Sequence, residues 1–311
     1  YEIASCLVGS EMCIRDSWLI DGLFQAYNRR RKQISFMLRR RLMTHIKDYT
    51  GRRAHLIGIG GSSMSGLAGM LVKLGVRVTG SDSARSYTTD ALEQSGIHVF
   101  IGQRAENVDG ADIVIYSAAI AKSNPERVRA EELGIPQMER ATLLGQLMEG
   151  YRHAVNICGT HGKTTTTSMA THIFMAAQAD PTVMIGGTLP LLHSGYRVGH
   201  GDTIILESCE YCNSFLSFYP TVAVILNVEA DHLDFFKDLG DIQHSFRSFA
   251  ELVPQETGHV VANYDNASAR TALNGLDRPL FWFSLHDPKA DCHAEHITCL
   301  LYTSDAADDK A

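Results

Sequence analysis

The sequence predicts an α/β protein built from two consecutive α/β domains. Two short apolar segments, 54–59 and 154–158, each lead into a glycine-rich turn that precedes a helical pattern. After each turn, short apolar strands keep alternating with helical segments, which is typical of parallel sheets covered by helices. A chain of 311 residues is long enough for about two domains. We therefore expect a first domain over residues 53–150 and a second, incomplete domain over residues 151–298.

Composition and charge narrow the possible function classes. A hydrophobic content of 45% and a charged content of 20% are ordinary for a soluble globular protein. The net charge of −7 argues against a nucleic-acid partner, because nucleic-acid-binding domains are basic. No apolar run is long enough to cross a bilayer, so we expect no stable membrane association. The seven cysteines lack paired metal-ligand spacing, and no secretory signal is present, which favours reduced thiols and a cytoplasmic location.

The two ends of the chain look unlike the rest. Segments 1–17 and 299–311 show no clear period and resemble translated sequencing-adapter tails. Residues 18–52 form a basic leader of uncertain status, with a run of charges at 29–32. An amphipathic helix on a membrane surface is one interpretation. We prefer a solvated charge run or a leader translated upstream of the true start.

The first domain begins with a strand, a glycine turn, a helix and a second strand over residues 54–82. The helix is indicated by apolar residues at 67, 70, 71 and 74. This order is that of a Rossmann-like nucleotide-binding unit. Its fingerprint of Gly58, Gly60 and Ser63 lacks the third glycine, and it fits a nicotinamide cofactor or another nucleotide diphosphate equally well. Asp82 at the end of the second strand is either a ligand of a ribose hydroxyl or a turn residue.

Strands and helices continue to alternate through the rest of the first domain. We expect helices over 91–95, 125–133 and 140–148, and strands over 98–101, 111–117 and 135–138, the last at a sheet edge. Ser117 and Ala118 lie at the carboxyl end of a buried strand, where open α/β sheets bind their ligands. These two residues are therefore candidates for ligand contact.

The segment 159–167 has the chemistry of a phosphate-binding loop. It reads Gly-Thr-His-Gly-Lys-Thr-Thr-Thr-Thr between an apolar strand and a helix, so that loop N–H groups and the positive end of the helix dipole face an anion. Lys163 would contact the outer phosphates as a point charge, and the Thr164 hydroxyl suits a Mg²⁺ position. The match to the general P-loop is incomplete, because Ile157 stands where a glycine is expected. A polar turn before a helix is the alternative.

Acidic and histidine side chains follow two further strands of the second domain. We expect a helix over 165–177, with Met169, Ile173 and Phe174 at core spacing, and strands over 183–185, 202–207 and 221–227. Glu207 closes one of these strands, and Asp231 and His232 follow another. Carboxylate oxygens near phosphates suit a hard cation. A solvated strand end, or a histidine that orients a loop, would give the same pattern.

With these segments in their order, the chain resembles the Mur ligase family. The matching stretches are 55–61, 64–66, 80–82, 117–120, 159–165, 207–211, 214–216 and 227–234, and they cover most of residues 54–298. Within the family, the pattern is most similar to the branch that joins L-alanine to UDP-N-acetylmuramate.

The resemblance implies an ATP-dependent, ADP-forming amide ligation in peptidoglycan synthesis. The first domain would bind the UDP of UDP-N-acetylmuramate through Gly58, Gly60, Gly61, Met64, Ser65, Asp82, Ser117 and Ala118. The second-domain loop would bind ATP through Gly159, Thr160, His161, Gly162, Lys163, Thr164 and Thr165. The γ-phosphoryl group would pass to the lactyl carboxylate, and the amine of L-alanine would then displace phosphate from the acyl phosphate.

The resemblance also implies catalytic and metal-binding roles. Lys163 would stabilise the charge of the transition state, and His161 would lie near the substrate carboxylate. Thr164 and Glu207 would hold the Mg²⁺ that bridges the ATP phosphates. His232 would serve a second metal near the acyl phosphate.

Two departures from the family pattern bear on this assignment. Related ligases carry a modified lysine beyond the histidine, where this chain has Arg247, which favours the alanine-adding branch. The family's C-terminal α/β domain and its adenine-contacting stretch are not found, so we expect an inactive fragment. Two alternatives stay open: a peptide-recycling ligase that adds a tripeptide to the same sugar nucleotide, and an NAD-dependent oxidoreductase built on the 58–63 fingerprint.

Overall fold

A computed structural model of the protein describes residues 45–295. The tails 1–17 and 299–311, and residues 18–44 of the basic leader, lie outside the described residues. The first sheet is all-parallel, with strand order β3-β2-β1-β4-β5. Its strands are β1 (Arg53–Ile57), β2 (Arg77–Asp82), β3 (His98–Ile101), β4 (Ile113–Tyr116) and β5 (Gln137–Glu139). Its helices are α1 (Ser62–Lys73), α2 (Tyr87–Gln94), α3 (Pro125–Glu132) and α4 (Arg140–Met148).

The second sheet has the order β13-β12-β11-β10-β6-β9-β7-β8 and is parallel except for the antiparallel pair β7–β8. Its strands are β6 (His153–Cys158), β7 (Thr182–Leu189), β8 (Ser194–Arg197), β9 (Thr203–Glu207), β10 (Val222–Ile225), β11 (His259–Asn263), β12 (Leu280–Ser284) and β13 (Cys292–His293). Its helices are α5 (Lys163–Ala176), α6 (Leu239–Glu251) and α7 (Ala267–Leu273). Short 3-10 helices cover Ile46–Tyr49, Ala105–Val108, Pro190–Leu192 and Tyr211–Ser217.

This architecture confirms the predicted fold class: a Rossmann-like sheet is followed by an α/β sheet that carries the phosphate loop. Strand β6, which leads into the loop, lies between β9 and β10. The carboxyl ends of these three parallel strands meet at one edge, so residues that follow them in sequence become neighbours in space. Within the described residues, no helix has the length and apolar character needed to cross a bilayer.

The predicted core face of α5 is wrong. Met169 and Ile173 are 60% and 66% exposed, whereas Thr167 and Thr171 are fully buried. The Thr167 hydroxyl donates to the carbonyl of Lys163, and the Thr171 hydroxyl donates to that of Thr167, both at 2.8 Å. Because these bonds satisfy the hydroxyl donors, a threonine face can be buried against the sheet. Phe174, in contrast, does pack against a buried cluster, as predicted.

The two sheets share one continuous hydrophobic core. The cluster includes Leu67 and Leu144 from the first domain and Phe215 and Phe246 from the second. Phe215 stacks on Phe249 of α6 with ring centroids 4.5 Å apart. The 3-10 helix over Tyr211–Ser217 is thereby fixed between α4 and α6. It follows Glu207 and Glu210, which belong to the site described below.

Gly145 tests how closely the two domains pack. A Cβ atom at this position of α4 would lie 2.0 Å from the backbone carbonyl oxygen of Ser217. Because backbone cannot move aside as a side-chain tip can, Gly145→Ala should lower the free energy of unfolding by about 2–3 kcal/mol. Chemical denaturation measures this change. Gly150→Ala is the matched control, since its Cβ would meet the nearest atom at an ordinary 3.4 Å; equal stability of the two variants would contradict the close packing.

Candidate functional site

The loop between β6 and α5 has the conformation that a phosphate site requires. Gly159 and Gly162 have backbone φ values of +147° and +80°, which residues other than glycine rarely adopt. No side chain caps the first turn of α5. The first hydrogen bond of the α5 ladder is donated by the Thr166 N–H to the Gly162 carbonyl, at 3.0 Å. The N–H groups of the preceding turn therefore remain available to an anion at the positive end of the helix dipole.

Asn227, which follows β10, holds the loop in this shape. Its side-chain oxygen accepts from the His161 N–H at 2.7 Å, and its amide nitrogen donates to the His161 carbonyl at 3.0 Å. Its backbone carbonyl accepts from the Thr160 N–H at 3.2 Å. The buried Thr160 hydroxyl in turn accepts from the backbone N–H of Glu229 at 2.9 Å. Sequence reasoning gave Asn227 no role, and it assigned Thr160 to the ligand, although the Thr160 side chain serves the loop.

Removing the Asn227 amide should weaken nucleotide binding without unfolding the protein. Asn227→Ala deletes both side-chain bonds to His161, and the loss of about 1–1.5 kcal/mol of loop order corresponds to roughly tenfold weaker ATP binding. Calorimetric titration with MgATP measures the change. Asn274→Ala, at an exposed position after α7, is the matched control. Unchanged ATP affinity in Asn227→Ala would show that the loop keeps its shape without this residue.

The Lys163 ammonium lies back against the loop rather than over the helix N-terminus. It donates to the carbonyls of Gly159 at 2.6 Å and Thr160 at 3.1 Å. It also forms an ion pair with Glu210 at 3.1 Å, and the Glu210 side chain is only 2% exposed. Sequence reasoning placed Glu210 in a matching stretch but assigned it no function. A buried acid after β9 gives no signal in the sequence that distinguishes it from its neighbours.

Thr164 and Glu207 meet as predicted for a metal site. The Thr164 hydroxyl donates to one Glu207 carboxylate oxygen at 3.0 Å, and the Gly186 N–H donates to the other at 2.7 Å. A Cβ at Gly186 would lie 3.0 Å from that carboxylate, so glycine leaves room around it. Among residues 45–295, no group of three or more His, Cys, Asp or Glu side chains is arranged to hold a metal ion. This pair suits Mg²⁺, which is bound through one or two carboxylates while phosphate and water oxygens complete its octahedron.

His232 lies beside Glu210, the acid that pairs with Lys163. Its Nε2 is 3.9 Å from Glu210 and 4.0 Å from Asp231. Its φ of +52° is unusual for a residue other than glycine, and such backbone strain clusters at functional sites. The Tyr211 ring lies 4.8 Å from the imidazole, and the Tyr211 hydroxyl donates to Asp234 at 2.8 Å, a bond that raises the pKa of this tyrosine. The predicted metal residues thus form two places, Thr164–Glu207 and His232, rather than one cluster.

His161 is the most solvent-exposed of the predicted catalytic side chains. Its imidazole is 68% exposed, and its Nε2 lies 3.6 Å from a carboxylate oxygen of Glu229. The backbone of His161 is fixed by Asn227, so the ring projects from an ordered loop into open solvent. This position leaves the ring free to face a ligand that covers the loop.

In the first domain, Asp82 holds the glycine turn. Its carboxylate accepts from the Gly60 N–H at 2.9 Å, and the Ser81 carbonyl accepts from the N–H groups of Gly58 and Ile59 at 2.8 and 3.0 Å. The turn-residue interpretation therefore describes Asp82 in this structure. Gly61 precedes α1 without a side-chain cap, which leaves a second helix N-terminus open to an anion.

The other predicted substrate residues differ in what they can present. Met64 and Ser65 are 3% and 1% exposed, so their side chains belong to the core, and the Ser65 hydroxyl donates to the Ser62 carbonyl at 3.0 Å. Ser117 is half-buried and Ala118 is exposed, at the carboxyl end of β4 as expected. This end lies at the same edge of the sheet as the glycine turn.

A buried polar network supports the strand end that carries the glycine turn. The Glu126 carboxylate is fully buried and accepts from the Ser81 hydroxyl and the Asn107 amide, both at 2.6 Å. The His55 Nε2 lies 3.5 Å from the same carboxylate. These contacts fix Ser81, and through its carbonyl they fix the turn.

A cleft connects the two candidate binding regions. A cavity of about 430 Å³ is lined by Ser62 and Tyr87 from the first domain and by Gly186, Thr188 and Tyr196 from the second. One end reaches the N-terminus of α1, and the other reaches the glycine that contacts Glu207. An extended ligand bound at the first helix could therefore place its far end beside the phosphate loop.

Comparisons with known proteins agree with this arrangement. The sequence model for the catalytic domain of the Mur ligase family matches residues 53–152, and the model for the Mur ligase middle domain matches residues 157–304. The UDP-N-acetylmuramate–L-alanine ligase of Caldanaerobacter subterraneus subsp. tengcongensis is 47% identical over 247 residues, which are 79% of this chain and 53% of that protein. The ligase of the same name from Clostridium novyi is 44% identical over 252 residues, 81% of this chain and 54% of that protein. The chain thus spans about half the length of the curated relatives it matches.

Solved structures show the same likeness. The UDP-N-acetylmuramate–alanine ligase of Thermotoga maritima superposes with a TM-score of 0.67 and 28% identity, over 76% of this chain and 53% of that chain. A ligase from Neisseria meningitides that joins UDP-N-acetylmuramate to L-alanyl-gamma-D-glutamyl-meso-diaminopimelate superposes with a TM-score of 0.68 and 28% identity, over 75% of this chain and 78% of that chain. Two consecutive family models cover the first sheet, the phosphate loop and most of the second sheet: the chain belongs to the Mur ligase family.

Proposed function

We propose that this chain carries the sugar-nucleotide and ATP sites of an enzyme that joins L-alanine to UDP-N-acetylmuramate, with ATP converted to ADP and phosphate. The observation that supports this most directly is the loop of Lys163 and Thr164 with Glu207 beside it, because Gly186, which donates to Glu207, also lines the cleft from the first domain. The curated relatives with this name are 42–47% identical to the chain. The reaction would belong to peptidoglycan synthesis in the cytoplasm.

In this proposal, the phosphates of ATP lie on the N-terminus of α5. Backbone N–H groups and the Lys163 ammonium bind the phosphate oxygens and neutralise the charge that develops during transfer. Thr164 and Glu207 would hold Mg²⁺, which supplies further neutralisation of the phosphate charge when it is bound. A lactyl carboxylate oxygen attacks the γ-phosphorus as the bond to the β,γ-bridging oxygen breaks, so ADP leaves and an acyl phosphate forms.

The second step forms the amide. The neutral amine of L-alanine attacks the acyl-phosphate carbonyl, inorganic phosphate leaves, and the nitrogen gives up one of its two protons to solvent or to a nearby base, which leaves the amide N–H. His161 lies in the phosphate loop and His232 lies beside Glu210, the partner of Lys163, and both would orient the acyl phosphate. The first domain holds the UDP on the N-terminus of α1, and the cleft guides the sugar and its carboxylate towards the loop.

Two other functions, a tripeptide-adding ligase and an NAD-dependent oxidoreductase, fit the chain less well. A ligase that adds a tripeptide to the same sugar nucleotide shares the fold, and its solved structures, at 26–28% identity, resemble the chain as much as the solved alanine-adding ligase does at 28%. The alanine-adding function is favoured by the curated relatives of that name, which are 42–47% identical. An NAD-dependent oxidoreductase built on the first-domain turn would leave the second-domain phosphate loop without a purpose.

Ligand titration separates these functions. We expect UDP-N-acetylmuramate to bind to this chain and NAD to bind at least about tenfold more weakly, because recognition of a different nucleotide leaves polar groups unpaired. Tighter binding of NAD would overturn the proposal. ADP release measured with UDP-N-acetylmuramate and either L-alanine or the tripeptide then identifies the acceptor; a preference for the tripeptide would assign the chain to the recycling branch.

A further inference from the structure

Glu210 is a buried acid in direct contact with the phosphate-loop lysine, and it has no role in the reaction outlined above. It lies three residues beyond the end of β9, at the start of the 3-10 helix over Tyr211–Ser217. Its position is fixed from both sides. The Ser208 N–H donates to the Ile157 carbonyl at 2.9 Å, and the Asn213 N–H donates to the Glu210 carbonyl at 2.9 Å.

The contacts of Lys163 leave it no donor for a phosphate. An ammonium group has three N–H donors. In this structure the Lys163 ammonium contacts the Gly159 carbonyl, the Thr160 carbonyl and the Glu210 carboxylate. To bind a phosphate, the ammonium must give up at least one of these partners.

Glu210 is the partner that competes most strongly with a phosphate. It is the only one of the three that carries a full charge, and at 2% exposure its attraction for Lys163 is weakly screened by solvent. A second basic side chain near Glu210 is that of His232, whose Nε2 lies 3.9 Å from a Glu210 carboxylate oxygen. When Lys163 moves to a phosphate, Glu210 loses its closest cation. The cost of breaking this ion pair makes nucleotide binding less favourable.

Resting on the proposed binding of ATP at this loop, we propose that Glu210 is a positioning residue that retracts Lys163 from the phosphate site. Retraction weakens nucleotide affinity and speeds the release of ADP after phosphoryl transfer. The lysine is delivered to the phosphates only when their charge exceeds the pull of the buried carboxylate. The retracted and delivered positions then alternate once in each reaction cycle.

A double-mutant cycle tests this inference on the chain itself. The dissociation constant and the dissociation rate of a fluorescent ADP analogue are measured for the wild type, Glu210→Gln, Lys163→Ala and the double variant. In the presence of Lys163, we expect Glu210→Gln to tighten binding by about three- to tenfold, mainly through slower dissociation. In the Lys163→Ala background, the same substitution should change the affinity by less than about twofold.

Other outcomes overturn the inference. Unchanged or weaker binding in Glu210→Gln would mean that the acid supports the site rather than competing with the nucleotide. Equal tightening in both backgrounds would mean that the carboxylate acts by direct repulsion of phosphate and not through Lys163. Glu229→Gln, which removes an exposed acid beside the same loop, is the matched control and should leave the affinity within about twofold of the wild type.

Folding is controlled separately. Circular dichroism and thermal unfolding are recorded for each variant, and Glu210→Asp, which keeps the charge but draws it back by one methylene, replaces Glu210→Gln if the amide variant does not fold. It should tighten binding in the same lysine-dependent way, by a smaller factor. Failure of the wild type to bind ADP would instead contradict the proposed function from which this inference starts.

Discussion

Replacing Lys163 by alanine should weaken ATP binding by roughly 10- to 100-fold, because a charge-assisted hydrogen bond to phosphate contributes about 1.5–3 kcal/mol. Lys163 is the only lysine or arginine in the 159–165 loop. Phosphoryl transfer should fall further than binding, since the charge on the phosphoryl oxygens grows in the transition state.

The measurement must separate the loss of a phosphate ligand from the loss of a buried ion pair. Lys163→Ala leaves Glu210 buried without its closest cation, which costs stability. The double variant with Glu210→Gln removes this charge, so its ATP affinity should stay low while its thermal stability recovers. Lys237→Ala, at an exposed position of the same domain, makes the same change in net charge and should bind ATP normally. Normal ATP binding by Lys163→Ala would refute the phosphate-loop assignment.

Replacing Glu207 by glutamine should abolish most of the dependence of ATP binding on Mg²⁺. The carboxylate is held beside Thr164 and the Gly186 N–H, and the amide can keep a bond to each of them while losing the negative charge that attracts the cation. We expect the ratio of ATP affinities with and without Mg²⁺ to fall by about tenfold or more, whereas affinity without Mg²⁺ should stay the same or increase.

Titration of ATP in Mg²⁺ and in excess chelator gives this ratio directly. Glu229→Gln is the appropriate comparison, because Glu229 is an acid near the loop that contacts His161 rather than Thr164. If Glu207→Gln retained the full effect of Mg²⁺, the cation would have to be bound elsewhere, and the His232 side of the loop would be the first place to test.

Much of the fold could be predicted from periodicity and glycine position. The strands flanking the two turns are short apolar runs, and helix α4 was predicted at its observed bounds, Arg140–Met148. Strand β8 was missed because its half-buried sequence, Ser-Gly-Tyr-Arg, lacks an apolar pattern, and it is itself the edge strand, paired only with β7. The face of α5 was inverted because its buried threonines read as polar, although their hydroxyls bond to carbonyls of the preceding turn.

Some residues of the candidate site could likewise be predicted from the sequence, and others could not. Lys163, Thr164 and Glu207 lie at strand or helix ends where chemistry is expected, and a sequence pattern can find them. Asn227, Glu210 and Glu126 act through contacts with residues distant in sequence, such as the 45 residues that separate Ser81 from Glu126. Only the order of strands in each sheet brings these partners together. Asp82 belongs to both groups, because the pattern finds its place at a strand end, whereas only the structure shows its bond to the Gly60 N–H.

Simultaneous binding of two nucleotides tests the central claim most directly. Calorimetry with MgATP, UDP-N-acetylmuramate and both together should reveal one independent site for each, and Lys163→Ala should weaken binding at the ATP site while leaving the UDP-N-acetylmuramate site unchanged. Competition between the two ligands for a single site, or weaker binding at both sites in Lys163→Ala, would contradict the claim that the first-domain turn binds UDP-N-acetylmuramate and the loop at Gly159 binds ATP.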